Sequence, residues 1–118
     1  MSGEIAPSAP IADAWVNLRT GQMELALAGF DGVLMADSEN LDALYGKGMV
    51  LRATGQTDAA VSIFRKVLDV SQQRLTELRA QHVGHETAIG FENPEEARFM
   101  MLGRMIRQRL AELGVNVG

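Results

Sequence analysis

Apolar residues recur at intervals of three and four along most of this chain, the spacing that places them on one face of an α-helix. Four such stripes come before residue 82. They predict one helix from Ser8 or Ala9 to just before Gly21, and further helices over 23–36, 39–54 and 57–81. A fifth stripe predicts a helix over 95–113, followed by Gly114. The pattern therefore predicts an all-α fold with five helices.

Residues at the predicted helix ends have the chemistry of caps. Gly21 and Gly55 stand where a helix finishes in a left-handed residue, a position that suits glycine. The segments 37–40 (Asp-Ser-Glu-Asn) and 93–96 (Asn-Pro-Glu-Glu) each contain N-cap residues, and the second also has proline at the first helical position. No stop signal interrupts the fourth helix, so we expect it to continue to about Gln81.

The sequence repeats itself with a shift of 34 residues. Thr54-Gly55-Gln56 repeats Thr20-Gly21-Gln22. Four more positions recur in phase with this segment: Ala26, Phe30, Val33 and Leu34 return as Ala60, Phe64, Val67 and Leu68. A fixed period of this size is typical of stacked helical repeats.

The period, the two helices in each repeat and the spacing of small and aromatic residues resemble the tetratricopeptide repeat (TPR) family. With position 1 at Leu41, the second repeat matches the family's pattern at Leu44, Gly48, Leu51, Gly55, Ala60 and Phe64. With position 1 at Pro7, the first repeat matches it at Ala14, Gly21, Ala26 and Phe30. A third copy would begin at Leu75 and departs from the pattern, with His82, His85 and Ile89 at three of its positions.

The resemblance implies a TPR-like α-α superhelix of two helical hairpins, with an extended second-repeat helix and a C-terminal capping helix. We expect a flexible tail over residues 1–7 and a single helical domain over 8–118. Within it, repeat one covers 8–40, repeat two covers 41–74 and a non-repeat cap covers 75–114, with an irregular connection over 82–93. Because one repeat cannot bury its apolar face alone, the cap is expected to cover the open end of the stack.

In the TPR family, the first helix of each repeat lines a groove that binds other proteins. The corresponding partner-binding positions in this sequence are Ile11, Trp15, Leu18, Arg19, Asp42, Tyr45, Met49 and Arg52. Trp15 and Tyr45 are the only Trp and Tyr of the chain, and aromatic and arginine side chains are common anchors of interfaces. The alternative is that Trp15 fills the core of the first repeat or lies under the cap helix.

The family's best-known binding mode clamps a partner's C-terminal carboxylate with Lys, Asn and Arg side chains. The matching positions here hold Ile11, Trp15 and Gly46, so that arrangement is absent. The resemblance therefore implies a non-catalytic protein–protein interaction module, or adaptor. Its groove is expected to bind an apolar or helical segment of another protein, whose identity stays open.

The predicted last helix is apolar on almost every side of its first half, whereas a surface helix normally shows one stripe. It forms either one broad buried face, or one face in the fold and a second face that pairs two copies through Phe99, Met100 and Ile106. The second interpretation gives a homodimer as the alternative function. Its arginines either meet the acidic front half of another molecule or form a solvated face: Arg98, Arg104, Arg107 and Arg109.

Composition narrows the classes of function. A net charge of −4 argues against nucleic acid as a partner, because that usually requires a basic surface. The chain has no cysteine, which excludes disulfides and thiolate sites and agrees with a reducing compartment. The N-terminus lacks the pattern of a secretory signal, and no apolar run approaches the roughly 20 residues that span a bilayer. We expect a cytoplasmic location and no membrane contact.

No pattern of catalytic or cofactor-binding residues stands out. Ser62 and Ser71 have no base placed beside them by the sequence, and no phosphate-binding loop is present. His82, His85 and Glu86 lack both the spacing of a helical zinc site and an obvious further ligand, so they predict a polar loop. We expect no enzyme activity, no cofactor and no metal.

Overall fold

A computed structural model describes residues 9–81 and 94–115, and α-helix is the only regular secondary structure in those two ranges. The helices are α1 (Ala9–Arg19), α2 (Met23–Ala36), α3 (Leu41–Ala53), α4 (Thr57–Gln81) and α5 (Pro94–Glu112). The prediction of an all-α fold is confirmed. The predicted tail over 1–7 and the predicted connection over 82–93 lie outside the described residues.

The helix bounds follow from the capping residues. Helices α2 and α4 begin and end where the apolar pattern predicts, with α4 continuing to Gln81. Helix α3 is shorter than the predicted range 39–54, because Asn40 is its N-cap and accepts a hydrogen bond from the Ala43 N–H at 3.0 Å. Gly114, at φ 84°, follows α5 as the predicted left-handed residue.

The segments Thr20–Gln22 and Thr54–Gln56 close α1 and α3 with the same hydrogen bonds. Gly21 and Gly55 have φ angles of 83° and 79°, and the N–H of the next residue donates to the carbonyl five residues earlier at 2.8 and 2.9 Å. Each threonine hydroxyl donates to the carbonyl four residues earlier at 2.9 Å. Each glutamine amide donates to that hydroxyl, at 3.2 and 3.0 Å. The 34-residue sequence repeat is thus a repeat of local structure as well.

The chain divides into two compact units, Met1–Ile63 and Phe64–Gly118, so the division falls inside α4. The predicted boundary between repeat two and the cap, at residues 74 and 75, also lies inside α4. The single domain predicted over 8–118 stays a prediction, as does the stacking of its repeats.

In the first unit, α1, α2 and α3 pack against one another around the fully buried ring of Phe30. The other members of this core are small or branched: Ala14, Ala26, Ala43 and Val50. A β-carbon on Gly29 would lie 2.8 Å from the Ala14 Cβ, so glycine permits the close approach of α1 and α2. Gly32, by contrast, faces open space, since a β-carbon there would have no neighbouring atom from another part of the structure within 4 Å.

In the second unit, the part of α4 from Phe64 onward lies beside α5. The Arg79 Nε is 3.3 Å from the Glu96 Oε1, and this ion pair joins the end of α4 to the start of α5. Midway along the helices, a β-carbon on Gly103 would contact the Leu68 Cδ1 at 3.8 Å. Among the described residues of this unit, the buried ones are Phe64, Val67, Val70, Ser71, Glu96, Gly103, Ile106 and Leu110.

Candidate binding surface on α1 and α3

Trp15 is half-buried, and one side of its indole packs on the core of the first unit. Its ring meets the Phe30 ring edge-on, with 5.1 Å between the centroids and 76° between the planes. This T-shaped geometry is a favoured aromatic arrangement, worth about 1 kcal/mol beyond the area that it buries. Trp15 is therefore held in place by the core and still presents part of its ring to solvent.

Tyr45 brings a second aromatic ring from α3 to the same place. Its centroid is 6.0 Å from that of Trp15, with the planes tilted by 41°, and the side chain is half-buried. Two half-exposed aromatic rings from different helices thus form one continuous patch. We call the patch formed by Trp15, Tyr45 and Met49 the aromatic surface.

Met49 and Arg52 extend the exposed face of α3 beyond Tyr45. These residues follow Tyr45 at intervals of four and three, so all three lie on one helix face. The Arg52 Nη1 lies 3.8 Å from the Met49 Sδ, and both side chains are half-buried. Asp42, one turn before Tyr45, is exposed. The face therefore combines an aromatic ring and a thioether with a positive and a negative charge at its two ends.

The other predicted residues on α1 occupy two kinds of position. Ile11 and Leu18 are half-buried and pack against the core cluster, so only part of each side chain faces outward. Arg19 is exposed in the last turn of α1. The Trp15 ring touches the core and is also partly accessible, so its role in a groove stays a prediction.

Gly46 makes room for the ring that supports the aromatic surface, and the spacing of apolar residues does not predict this role. It is buried on α3 beside Tyr45, and a β-carbon there would overlap the ring of Phe30. The absent side chain lets Phe30 reach the place where its ring supports Trp15. In the sequence, Gly46 was notable only because it stands at a position where the TPR carboxylate clamp has a polar or charged side chain. Its packing role becomes visible only once the distance between α2 and α3 is known.

The structure corrects one residue of the predicted oligomer contact on α5. Ile106 is 0% exposed, because it is part of the buried face of α5, so it is not available to a second copy. Phe99 is half-buried and Met100 is exposed, as an intermolecular contact requires. The large apolar residues that α5 does expose are Met100, Met101 and Met105.

Other kinds of site find little support in the described residues. No group of three His, Asp or Glu side chains there is arranged to hold a metal ion, and His82, His85 and Glu86 lie outside the described ranges. Among the described helices, none is both long and apolar enough to cross a bilayer. The aromatic surface offers apolar contact, and the charged side chains of Asp42 and Arg52 lie on the same face of α3.

Comparison of the chain with protein-family models, with curated proteins and with solved structures finds no match in any of the three. The resemblance to the TPR family therefore rests on the sequence positions themselves.

Proposed function

We propose that this chain is a TPR-like, non-catalytic interaction module that binds an apolar or helical segment of another protein on the aromatic surface. The observation that carries the proposal is the contact between Trp15 and Tyr45. Side chains from two helices meet there, Trp15 is anchored to the core through Phe30, and both rings keep part of their area exposed. Rigid aromatic rings of this kind are typical anchors of protein interfaces, because little conformational entropy is lost when they bind.

In this mechanism, the partner inserts apolar side chains against Trp15, Tyr45 and Met49 and removes their exposed area from water. Met49 adapts to the shape of the partner, because its unbranched side chain has several rotamers. Arg52, Asp42 and Arg19 lie around the patch and orient the partner through charge. Truncation of a central aromatic anchor typically costs about 2 kcal/mol of binding free energy.

The TPR-like part of the proposal is supported by the repeated ends of α1 and α3. The two Thr-Gly-Gln segments are 34 residues apart and close their helices with the same hydrogen bonds. In the proposed architecture, the two hairpins stack as a short superhelix and α5 caps it. A cytoplasmic location completes the proposal, and the cysteine-free composition supports it.

A capture experiment tests the proposal. The wild-type chain and a Tyr45→Ala/Met49→Ala variant are immobilised in equal amounts and exposed to an extract of the source cells. A Met35→Ser variant is the matched control, because Met35 is 89% exposed on α2 and lies outside the aromatic surface. We expect a protein retained by the wild type and the control but lost from the double variant. Equal retention by all three would refute the proposal.

Self-association is the second candidate, and the exposed methionines of α5 favour it. Met101 and Met105 are 59% and 38% exposed, so two copies could bury them against each other. Sedimentation velocity at increasing concentration, with a Met101→Lys/Met105→Lys variant beside the wild type, decides this. A dimer that the variant loses supports self-association, and a monomer at every concentration excludes it.

A further inference from the structure

A groove lies between α4 and α5 in the second unit, and none of the residues that line it belongs to the aromatic surface. Its volume is about 280 Å³. The described residues that line it are Ser71, Gln72, Leu75, Phe99, Met100, Gly103, Arg104 and Arg107. We call this the α4–α5 groove.

The floor of the α4–α5 groove exists because two small residues stand where larger ones would fill it. Gly103 and Ser71 are both buried, and the Ser71 hydroxyl is used within α4, where it donates to the Leu68 carbonyl at 2.9 Å. The Arg107 Nη1 would lie 3.4 Å from a β-carbon on Gly103. The apolar walls, Leu75 and Phe99, are half-buried and therefore still offer surface to a ligand.

The charge of the groove is positive. Arg104 and Arg107 line it, both are exposed, and neither forms an ion pair with any residue that the structure describes. Arg79 lies at one end, with its Nη2 3.6 Å from the Met100 Sδ, and its charge is already paired with Glu96. Among the described residues that line it, none is acidic. An acidic ligand would therefore meet two guanidinium groups that are not paired with any described carboxylate.

We infer that the α4–α5 groove is a second docking site, which takes an acidic peptide segment that inserts one large apolar side chain. The volume is enough for a single Leu, Met or Phe side chain, and the apolar walls provide its contact. Carboxylates on either side of this anchor would pair with Arg104 and Arg107, and arginine suits such pairing because its planar fork matches a carboxylate. This inference is independent of the proposed function, because the two surfaces share no residue.

The concave shape favours a peptide over a membrane. A lipid surface is bound by a convex apolar helix face with basic residues on its flanks, and on α5 that face would contain Met101 and Met105. Neither methionine lines the groove. A depression of this size instead suits one inserted side chain, as peptide-recognition grooves do.

Fluorescence polarisation with synthetic peptides tests the inference on the full chain. The probe is a labelled heptapeptide with phenylalanine between two runs of three glutamates, together with versions that carry Leu, Met or Trp as the anchor. One control peptide has alanine in place of the anchor, and another has lysine in place of every glutamate. We expect at least one acidic anchored peptide to bind and neither control to bind. Raising the salt from about 0.1 M to about 1 M should weaken the binding, because the screening length falls from about 10 Å to about 3 Å.

Three variants locate the binding. Arg104→Glu/Arg107→Glu should weaken it by about tenfold or more, which corresponds to about 1.4 kcal/mol of binding free energy or more. Gly103→Leu leaves the charges in place and fills the floor, so it should also abolish binding. Lys66→Glu is the matched control, because Lys66 is exposed on α4 and does not line the groove. It should stay within about twofold of the wild type, a difference well below 1 kcal/mol.

Four outcomes would overturn the inference. The first is that none of the acidic anchored peptides binds, and the second is that Arg104→Glu/Arg107→Glu binds as the wild type does while its helicity is unchanged. The third is that the same variant abolishes a dimer seen by sedimentation without peptide, which would make a second copy the occupant. The fourth is binding to vesicles of anionic lipid that survives Gly103→Leu while peptide binding is absent, which would assign the basic face to a membrane.

Discussion

Gly46 on α3 lies so close to the ring of Phe30 on α2 that a β-carbon at position 46 would overlap the ring. Phe30 is fully buried and supports Trp15 edge-on at 5.1 Å. The three positions form one chain of contacts from the core to the candidate binding surface. Glycine in the middle of a helix is about 1 kcal/mol less favourable than alanine. At position 46 this cost is offset, because no larger side chain would fit beside Phe30.

Alanine substitutions at Gly46 and Gly32 should have opposite effects on stability. Gly46→Ala is expected to lower the free energy of unfolding by about 2 kcal/mol, since the ring of Phe30 must move to make room. Gly32→Ala is expected to raise it by up to about 1 kcal/mol, because position 32 faces open space and alanine favours the helix. Urea unfolding followed by circular dichroism measures both. Equal effects of the two substitutions would show that Gly46 is not constrained by Phe30.

Removal of the α3 N-cap should destabilise the first unit. Asn40→Ala eliminates the hydrogen bond that the side chain accepts from the Ala43 N–H, and the expected loss is about 1 kcal/mol. Ser38→Ala, in the same turn and exposed, is the control and should change stability by less than about 0.5 kcal/mol. Thermal unfolding of the two variants, compared at one protein concentration, gives the difference. If Asn40→Ala and Ser38→Ala lowered the stability equally, Asn40 would not be the N-cap of α3.

Alanine substitutions on the buried and on the exposed face of α5 should differ in their cost to the free energy of unfolding. Ile106→Ala is expected to cost about 2–4 kcal/mol, because Ile106 is fully buried. Met101→Ala is expected to cost less than about 0.5 kcal/mol, since Met101 is mostly exposed and alanine suits a helix. Chemical denaturation of both variants checks this. If Met101→Ala were the more destabilising change, the assignment of the buried face would be wrong.

The helices could be predicted from the sequence because periodicity and capping residues act locally. The bounds of α2 and α4 agree with the apolar pattern, and the left-handed residues Gly21, Gly55 and Gly114 stand where the sequence predicts helix ends. The start of α3 was predicted too early, since both Glu39 and Asn40 follow a turn and only the hydrogen bond to Ala43 shows which residue is the cap.

The candidate site could be predicted only in part, because it depends on distances between helices. Trp15 and Tyr45 were expected on one surface, and the structure places their rings in contact. The role of Gly46 could not be predicted, since helical spacing does not show which residue of α2 will face it. The burial of Ile106 was missed because the large apolar residues of α5 are not confined to one stripe, so its sequence does not define a single inward face. The α4–α5 groove likewise depends on how those two helices approach each other.

The fluorescence of Trp15 tests the central claim most directly. Trp15 is the only tryptophan of the chain and is part of the proposed binding surface, so its emission reports contact there and nowhere else. The wild-type chain is titrated with a segment of a captured partner that contains no tryptophan, and binding is measured in parallel by calorimetry. We predict a saturable blue shift of the emission as the ring loses its exposed area, and no binding to the Tyr45→Ala/Met49→Ala variant. Binding that calorimetry detects while the Trp15 emission stays unchanged would contradict the account.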